Sequence, residues 1–436
     1  MSEAALTQLR EALLPDDFSG IEGVEVEGRR FSTVLDPTDP EALSRMLETL
    51  NGLQLPALVR GGGTRMGLGN LPRDADVVIS TTSLSGVRRF EPDDGVIEVS
   101  GGTPLSVVRR AVSERGWELP MDAGGPASTV GGAIATAAYG PRCLAFGPVR
   151  RNVLGLEVVD AAGTLTKCGG RVVKNVTGYD LAKLYTGSLG TLGVITGAWL
   201  RLQPSPRAVF ARMAEFSESG AALEVGRSVS RRGTARACVL LSPEVARRVE
   251  LEHSLAASWI LLVEFAGEEA ECKKDVDWFE AECGGNSPAD AVGDEATRYV
   301  DAIRDDMASP GLPMAARIRI ATLPTKVSAC LPPLLKAGAL MTVDPGLGVV
   351  VAELRLEDPS DSVRGAEDLE GHIAIAREAA VACNGTLVFE ALPTPAKRGV
   401  DVFGENLGPQ LEVMRRLKNE FDPKGLLNPG RFVGGI

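Results

Sequence analysis

Three glycine-rich stretches crowd the first half of the chain and restrict its fold more than any other feature. The first is Gly61-Gly62-Gly63-Thr64, with Gly67 and Gly69 behind it. The second holds Gly124-Gly125, then Gly131-Gly132 and Gly140. The third runs through Gly187, Gly190 and Gly193, after Gly178. Glycine supplies 50 of 436 residues, above the usual level of about 7%. Because the excess is clustered, it marks loops whose backbone, rather than side chains, makes the contacts. At about 150 residues per domain, the length predicts two to three domains.

The rest of the composition narrows the function. Hydrophobic residues are 44% and charged residues 24%, which is globular and excludes wholesale disorder. Lys and Arg number 46 against 58 Asp and Glu, a net charge of -12, so a basic footprint for nucleic acid is missing. No run of about 18 apolar residues occurs, so no bilayer-spanning helix is expected. The opening MSEAALTQLREALLPDDF lacks a basic-then-apolar signal layout. Seven scattered cysteines without a CxxC pair predict a reduced, cytoplasmic chain, and argue against an iron–sulfur cluster held by this chain alone.

Along the chain, strand and helix signals alternate from about residue 31. Asp39-Pro40 predicts a capped helix over 41–50. Strands are expected at 57–60, 77–80 and 96–100, then a helix from 104 to about 115, then strands at 153–160, 165–167 and 191–202. Pro204 and Pro206 mark a boundary near 205. Beyond it, strands at 209–215, 237–241, 259–265, 318–321, 349–356 and 387–390 are interleaved with helices at 268–282, 325–335 and 363–383. That predicts an α+β second domain over 206–395 with helices on one sheet. A last helix over 410–420 opens a C-terminal segment, 396–436.

Each glycine stretch, taken singly, admits a plain structural explanation. After the strand ending at Arg60, Gly61-Gly62-Gly63-Thr64 makes either a tight solvent turn or a nest of N–H groups around an anion such as a pyrophosphate. It is not a P-loop, because the Lys-Ser/Thr pair is missing, nor a GxGxxG opening a helix. Pro120-Met121-Asp122-Ala123-Gly124-Gly125 with Gly131-Gly132 and Thr136 permits close backbone approach, to a ligand or to a neighbouring strand. Val173-Lys174-Asn175-Val176-Thr177-Gly178-Tyr179-Asp180-Leu181, then Gly190-Thr191-Leu192-Gly193-Val194-Ile195, reads as a turn entering a strand, or as the lining of a ring.

In this order and spacing the three stretches together resemble the flavin-binding domain of the vanillyl-alcohol oxidase / p-cresol methylhydroxylase superfamily. The resemblance covers 36–202, plus Asn428-Pro429-Gly430, which resembles the terminal "NPGK" of the FAD-linked oxidase branch. Tyr139-Gly140-Pro141-Arg142, the 173–181 motif and the ending Phe421-Asp422-Pro423-Lys424-Gly425-Leu426-Leu427-Asn428-Pro429-Gly430-Arg431 look most like the E-type FAD-binding subunits of bacterial glycolate oxidases. The resemblance implies an α+β architecture: a two-subdomain PCMH-type FAD-binding domain over 1–205, carrying the flavin ring toward an α+β, ferredoxin-like cap. It implies that Arg60, Gly61, Gly62, Gly63 and Thr64 wrap the pyrophosphate. Pro120, Gly124, Gly125, Gly131, Gly132 and Thr136 would follow the ribityl chain. Gly190, Thr191, Gly193, Val194 and Ile195 would hold the ADP side, and Asn428 would reach back near the ring.

The chain also departs from its relatives. Members that tether FAD use His, Cys or Tyr, yet the only histidines are His253 and His372, both outside the flavin domain. A non-covalent FAD is therefore expected, with Cys143 and Cys168 as remote alternatives. The His-rich metal motif of D-2-hydroxy-acid dehydrogenases is absent, so no metal site is expected and the catalytic base is unknown. Leu189 stands where catalytic-subunit relatives often carry Glu. Arg142, Arg150, Arg151 and Lys174 are candidates for an acid's carboxylate.

The leading expectation is a FAD subunit of a glycolate-type (2-hydroxy-acid) dehydrogenase complex. Its partners would be a catalytic flavoprotein subunit and an iron–sulfur subunit, and any contact with the inner membrane would run through them. The alternatives are a stand-alone FAD oxidoreductase for another alcohol or hydroxy acid, using Tyr or Arg in place of His with Tyr139 and Tyr179 as candidates, and an assembly flavoprotein with a redox-silent FAD.

Overall fold

The computed structural model describes residues 3–20, 23–170, 179–251, 258–284, 289–308, 316–355, 362–404 and 408–436. Residues 173–178, with Lys174, and His253 lie outside the described residues. The chain divides into two compact units. One comprises Met1–Ala138, Pro148–Ser205 and Lys397–Ile436, and the other Tyr139–Gly147 and Pro206–Ala396.

The first unit carries two sheets. A three-stranded parallel sheet has Val77–Ser80 at its centre, between Val34–Leu35 and Ala57–Arg60. Its helix, Pro40–Leu53, begins where Asp39 accepts a hydrogen bond from Ala42 N (2.7 Å) and ends at Gln54 in the left-handed conformation. Leu43, Met46, Leu47 and Leu50 recur at helical spacing and are buried, each worth roughly 1.5–3 kcal/mol of transfer free energy. They pack on Leu35, Ala57, Val77, Ile79 and Leu427. The C-terminal segment is joined to this sheet by backbone, Ala57 N donating to Leu426 O and Asn428 N to Ala57 O.

The second sheet of this unit is antiparallel. Its order is Leu165–Gly169, Val153–Val159, Val194–Arg201, Val96–Ser100 and Val87–Glu91. Helices Leu105–Ser113 and Val130–Ala135 cover it through Leu105, Val108, Val112, Val130 and Ile134. One carboxylate is buried there. Burial pushes Glu157 upward, but bonds from Arg88 (2.7 Å) and Lys167 (3.0 Å) hold it below the ordinary carboxylate range. Arg88 also donates to Thr196 O and Ser100 Oγ, so this cation fastens the start of Val194–Arg201.

The second unit is built on one eight-stranded antiparallel sheet. Its order is Ala289–Val292, Ala208–Phe216, Trp259–Gly267, Ala235–Leu241, Leu340–Asp344, Val349–Leu354, Ala316–Ala321 and Thr386–Ala391. Side chains alternate across it. Leu262, Val239 and Val351 meet Val245, Ala246, Val300 and Ile303 of helices Pro243–Arg248 and Asp294–Ala308, while Leu261 packs toward Gly226 of Ser219–Val229 on the opposite face.

The boundary expected at 205 misses an excursion. Residues Tyr139–Gly147 leave the first unit and join the second. Arg142 explains why. Its guanidinium grips the fully buried Glu264 with two bonds (2.8 and 2.9 Å), donates to Asp301 (2.5 Å) and reaches Thr297 O. Arg236 donates to the same carboxylate (2.7 Å). Arg142 is therefore committed to internal partners and does not serve as the carboxylate ligand its position in the sequence suggested.

Tyr139 is similarly engaged. Its hydroxyl donates to Asp344 Oδ2 (2.9 Å), while Asp344 Oδ1 accepts from Gly346 N and Leu347 N. Burial raises Asp344 to about 6, with those hydrogen bonds opposing the rise. Since its ordinary value is 3.8, the folded state holds the extra proton between the two values. Its stabilising contribution is present below about pH 4 and is lost as pH climbs through about 6. Asp344→Asn keeps the Oδ1 acceptor and removes the charge. We expect its melting temperature to match the parent at about pH 3.5 and to exceed it at about pH 8 by a few degrees, from roughly 1–3 kcal/mol. Equal melting temperatures at the higher pH would contradict this.

Candidate functional site

The three glycine stretches of the first unit meet around one cleft. Its walls come from residues 59–68, from 128–136 and from 189–195, with Asn428 and Arg431 added by the tail.

The first wall continues the strand Ala57–Arg60. A Cβ on Gly62 would stand 1.5 Å from Ala127 O, and one on Gly61 would stand 2.4 Å from Thr129 Oγ1. Only glycine lets this loop lie directly on the 127–129 segment, which is how two stretches remote in sequence become one site. The N–H groups of Gly61, Gly62, Gly63 and Thr64 find no acceptor among the described residues. Four consecutive orphan donors beside a cleft make a concavity suited to an anion.

The second wall is the short helix Val130–Ala135, capped by Thr129, whose Oγ1 accepts from Gly132 N (3.2 Å). Gly131 N donates to Gly101 O (2.7 Å), and a Cβ on Gly131 would stand 2.9 Å from that oxygen. Gly131 and Gly132 thus use their amides inside the protein and let the helix approach the neighbouring sheet. Their faces, with Ala135 and Thr136, remain part of the lining.

The third wall starts where Leu189 N donates to Ala135 O (2.8 Å). Gly190 follows at φ 69°, and Gly193, Val194 and Ile195 carry the wall into the strand. Asn428 clips the first and third walls together. Its Oδ1 accepts from Val59 N (2.8 Å) and its Nδ2 donates to Leu189 O (2.6 Å). Both amide atoms have protein partners, so Asn428 builds the cleft as well as lining it.

Of the expected site residues, Gly61, Gly62, Gly63, Thr64, Gly131, Gly132, Thr136, Gly190, Gly193, Val194, Ile195 and Asn428 line this cleft. Arg60, Pro120, Gly124, Gly125 and Thr191 do not. Arg60 folds its guanidinium back over Gly63, within 2.6 Å of where a Cβ would be. Pro120 O accepts from the buried Asn152 Nδ2 (2.8 Å), and Gly125 turns the chain at φ 91°. Thr191 is buried, its hydroxyl on Ser188 O and its carbonyl on Lys418 Nζ (2.7 Å). Lys418 also bonds Asp422 (2.6 Å) and Leu427 O, so it ties the third wall to the tail.

Sequence reasoning missed Thr81, Ser128 and Arg431 among the polar lining residues. Arg431 had a readable signal, since it directly follows Asn428-Pro429-Gly430. The others are isolated hydroxyl residues with no motif.

Comparison with known proteins bears on what this cleft holds. Residues 31–169 match the FAD binding domain family, and residues 399–432 match the C-terminal domain of FAD linked oxidases. These are the regions that bring the first two walls and the tail to the cleft. The chain is 27% identical over 435 aligned residues to glycolate oxidase subunit GlcD of Bacillus subtilis, covering 92% of this chain and 88% of that one.

In both of these regions the chain is similar to FAD-linked oxidases.

A D-lactate dehydrogenase of Archaeoglobus fulgidus is 38% identical over 174 residues, 40% of this chain. The chain spans only 39% of that relative's length. The fold is that of 4-ethylphenol oxidase from Gulosibacter chungangensis, at a TM-score of 0.72 and 16% identity, over 98% of this chain and 96% of that one. The match to a FAD binding domain is in keeping with a cleft walled by bare backbone. The orphan amides suit a pyrophosphate, and Val59, Met66, Leu68, Val194 and Ile195 offer the apolar contact a large planar cofactor needs. Among the described residues, no helix is long and apolar enough to cross a membrane.

Proposed function

We propose that this chain binds FAD without a covalent link and works as a flavoprotein subunit of a 2-hydroxy-acid dehydrogenase of the glycolate type. The convergence of the glycine walls, with the amides of residues 61–64 unpaired among the described residues, is the observation that carries this reading. When bound, FAD would supply the step between two-electron and one-electron chemistry. The chain's own part is to bind the dianionic bridge with neutral donors, which fits a net charge of -12. Gly61, Gly62, Gly63 and Thr64 would face the phosphates, with Gly131, Gly132, Thr136, Gly190, Gly193, Val194, Ile195 and Asn428 around the remainder of the cofactor.

Side-chain chemistry favours a subunit that hands electrons on over a self-sufficient dehydrogenase. Tyr139 is bonded to Asp344, and burial with that carboxylate alongside raises its phenol well above the ordinary value, so it is held protonated. Tyr179 is 95% exposed. Neither supports the stand-alone reading in which a tyrosine replaces the missing histidine base. His372 lies half-buried on the helix Ser362–Ala382. The catalytic flavoprotein and iron–sulfur partners remain part of the proposal.

The test begins with the absorption spectrum of the purified chain, followed by acid precipitation. A yellow protein whose flavin passes wholly into the supernatant is expected. Flavin retained in the pellet would overturn non-covalent binding. The isolated chain should turn over glycolate at less than about a hundredth of the rate reached with its partners, and rapid turnover by the chain alone would end the relay reading.

A further inference from the structure

The loop that follows the glycine wall is held in an unusual way. Its five successive carbonyls, those of Met66, Gly67, Leu68, Gly69 and Asn70, each accept a hydrogen bond from a buried cation. Lys397 takes Gly67 and Gly69 (3.2 Å for the latter). Arg431 takes Met66 (2.6 Å), Leu68 and Asn70 (2.9 Å). The Lys397 side chain is wholly buried and Arg431 is 4% exposed. Both are in the first unit, as is the loop.

The charges do not balance. Lys397 donates to Glu27, and Arg431 lies 3.7 Å from the same Glu27 oxygen. Among the described residues, Glu27 is the one carboxylate within ion-pair distance of either cation. Burying two cations on one carboxylate is costly unless their remaining protons are bonded, and the loop carbonyls supply those bonds. Gly69 is required by the packing, since its φ is 104° and a Cβ would meet Arg431 O at 2.7 Å.

Two consequences reach the cleft, whose lining includes Met66, Leu68 and Arg431. Carbonyl oxygens that would repel an anion are drawn onto the cations. An excess positive charge also stands behind the wall that holds the orphan amides of residues 61–64. In a poorly solvated setting such a charge acts strongly on a phosphate.

We propose that Lys397 and Arg431 are positioning residues for the phosphates of the bound cofactor, orienting the 66–70 loop and lending it positive charge. This rests on the proposed FAD binding, and a probe that carries the phosphates without the flavin separates the two. ADP and FAD are titrated separately against the cofactor-free full chain, at several salt concentrations. For the unaltered chain, log Kd should depend on log salt. Arg431→Lys keeps the charge but cannot span three carbonyls, so both affinities should fall about tenfold with the salt dependence retained. Arg431→Gln should lose about a hundredfold, with a flatter salt dependence. Lys397→Gln should behave like Arg431→Gln.

Equal losses in Arg431→Lys and Arg431→Gln with an unchanged salt dependence would reduce these residues to scaffolding and overturn the proposal. So would affinities within about twofold of the parent. A measurement without substitution guards against variants that do not fold. In the unaltered cofactor-free chain, the amides of Met66, Leu68 and Asn70 should exchange at least about a hundredfold more slowly than in an unstructured peptide, and exchange at free-peptide rates would defeat the proposal. If ADP binds and FAD does not, the flavin reading fails and the phosphate site stands. If FAD binds and all variants match the parent, the reverse holds.

Discussion

Gly62→Ala should give a colourless chain. The added methyl carbon would stand 1.5 Å from Ala127 O and 2.5 Å from Ala127 C, which are backbone atoms with no rotamer to change. Either the 61–64 loop lifts off the 127–129 segment or that segment retreats, and both movements separate walls that share the cleft. Overpacking of this kind typically costs about 1–3 kcal/mol, and a clash with fixed backbone belongs at the upper end. At about 1.4 kcal/mol per tenfold, we expect FAD affinity to fall on the order of a hundredfold, measured by quenching of flavin fluorescence. Gly52→Ala is the internal control. Gly52 sits in the helix Pro40–Leu53, and a methyl carbon added there would have nothing within 4 Å, so alanine should leave affinity unchanged. Binding by Gly62→Ala within about threefold of the parent would refute the role given to this loop.

The control also separates what the sequence revealed from what it concealed. Glycine clusters disclosed the location of the cleft, because a run such as Gly61-Gly62-Gly63 has few uses besides close backbone approach. They did not reveal what each glycine approaches. Gly61 and Gly62 meet the 127–129 segment and Gly131 meets Gly101, so protein contacts explain glycines that a ligand alone would also have explained. Helix Pro40–Leu53 and strand Trp259–Gly267 were readable from a cap and from a long apolar run. Strand Leu340–Asp344 was not. It is only five residues long, is buried throughout and so shows no alternation, and ends in an aspartate. Helix Ser219–Val229 was hidden by its glycines and serines, which suggest a loop. The excursion of Tyr139–Gly147 into the second unit depends on Arg142 meeting Glu264, a pairing between residues far apart in the chain that no local pattern encodes. Such long-range ion pairs also misled the functional reading of Arg142, since an arginine after a ligand loop has the same local signature whether it binds substrate or a buried glutamate.

That ion pair carries the second large effect. Glu264 is fully buried, and although burial pushes its carboxyl upward, Arg142 and Arg236 hold it below the ordinary range. Its folded-state value is therefore depressed. Its stabilising contribution is present above the ordinary 4.5 and disappears as pH falls through the folded value. Glu264→Ala would leave two guanidiniums facing each other in the interior. Breaking a buried pair from one side costs about 3–5 kcal/mol, or on the order of 10 °C for a unit of this size. Calorimetry at about pH 7 should show that loss, and it should shrink as the pH falls below the ordinary 4.5 toward the folded value, where the parent also loses the carboxylate. Replacing Arg142, Arg236 and Glu264 together by Met, Met and Leu should recover much of the lost stability, because a buried ion cluster is a weak source of stability next to good apolar packing. Recovery should be incomplete, since Arg142 also bonds Asp301 and Thr297 O. A drop below about 1 kcal/mol in Glu264→Ala would mean that water reaches the cluster. The binding of residues 139–147 to the second unit would then have to come from the packing of Phe146 and Cys143, both buried, instead of from charge.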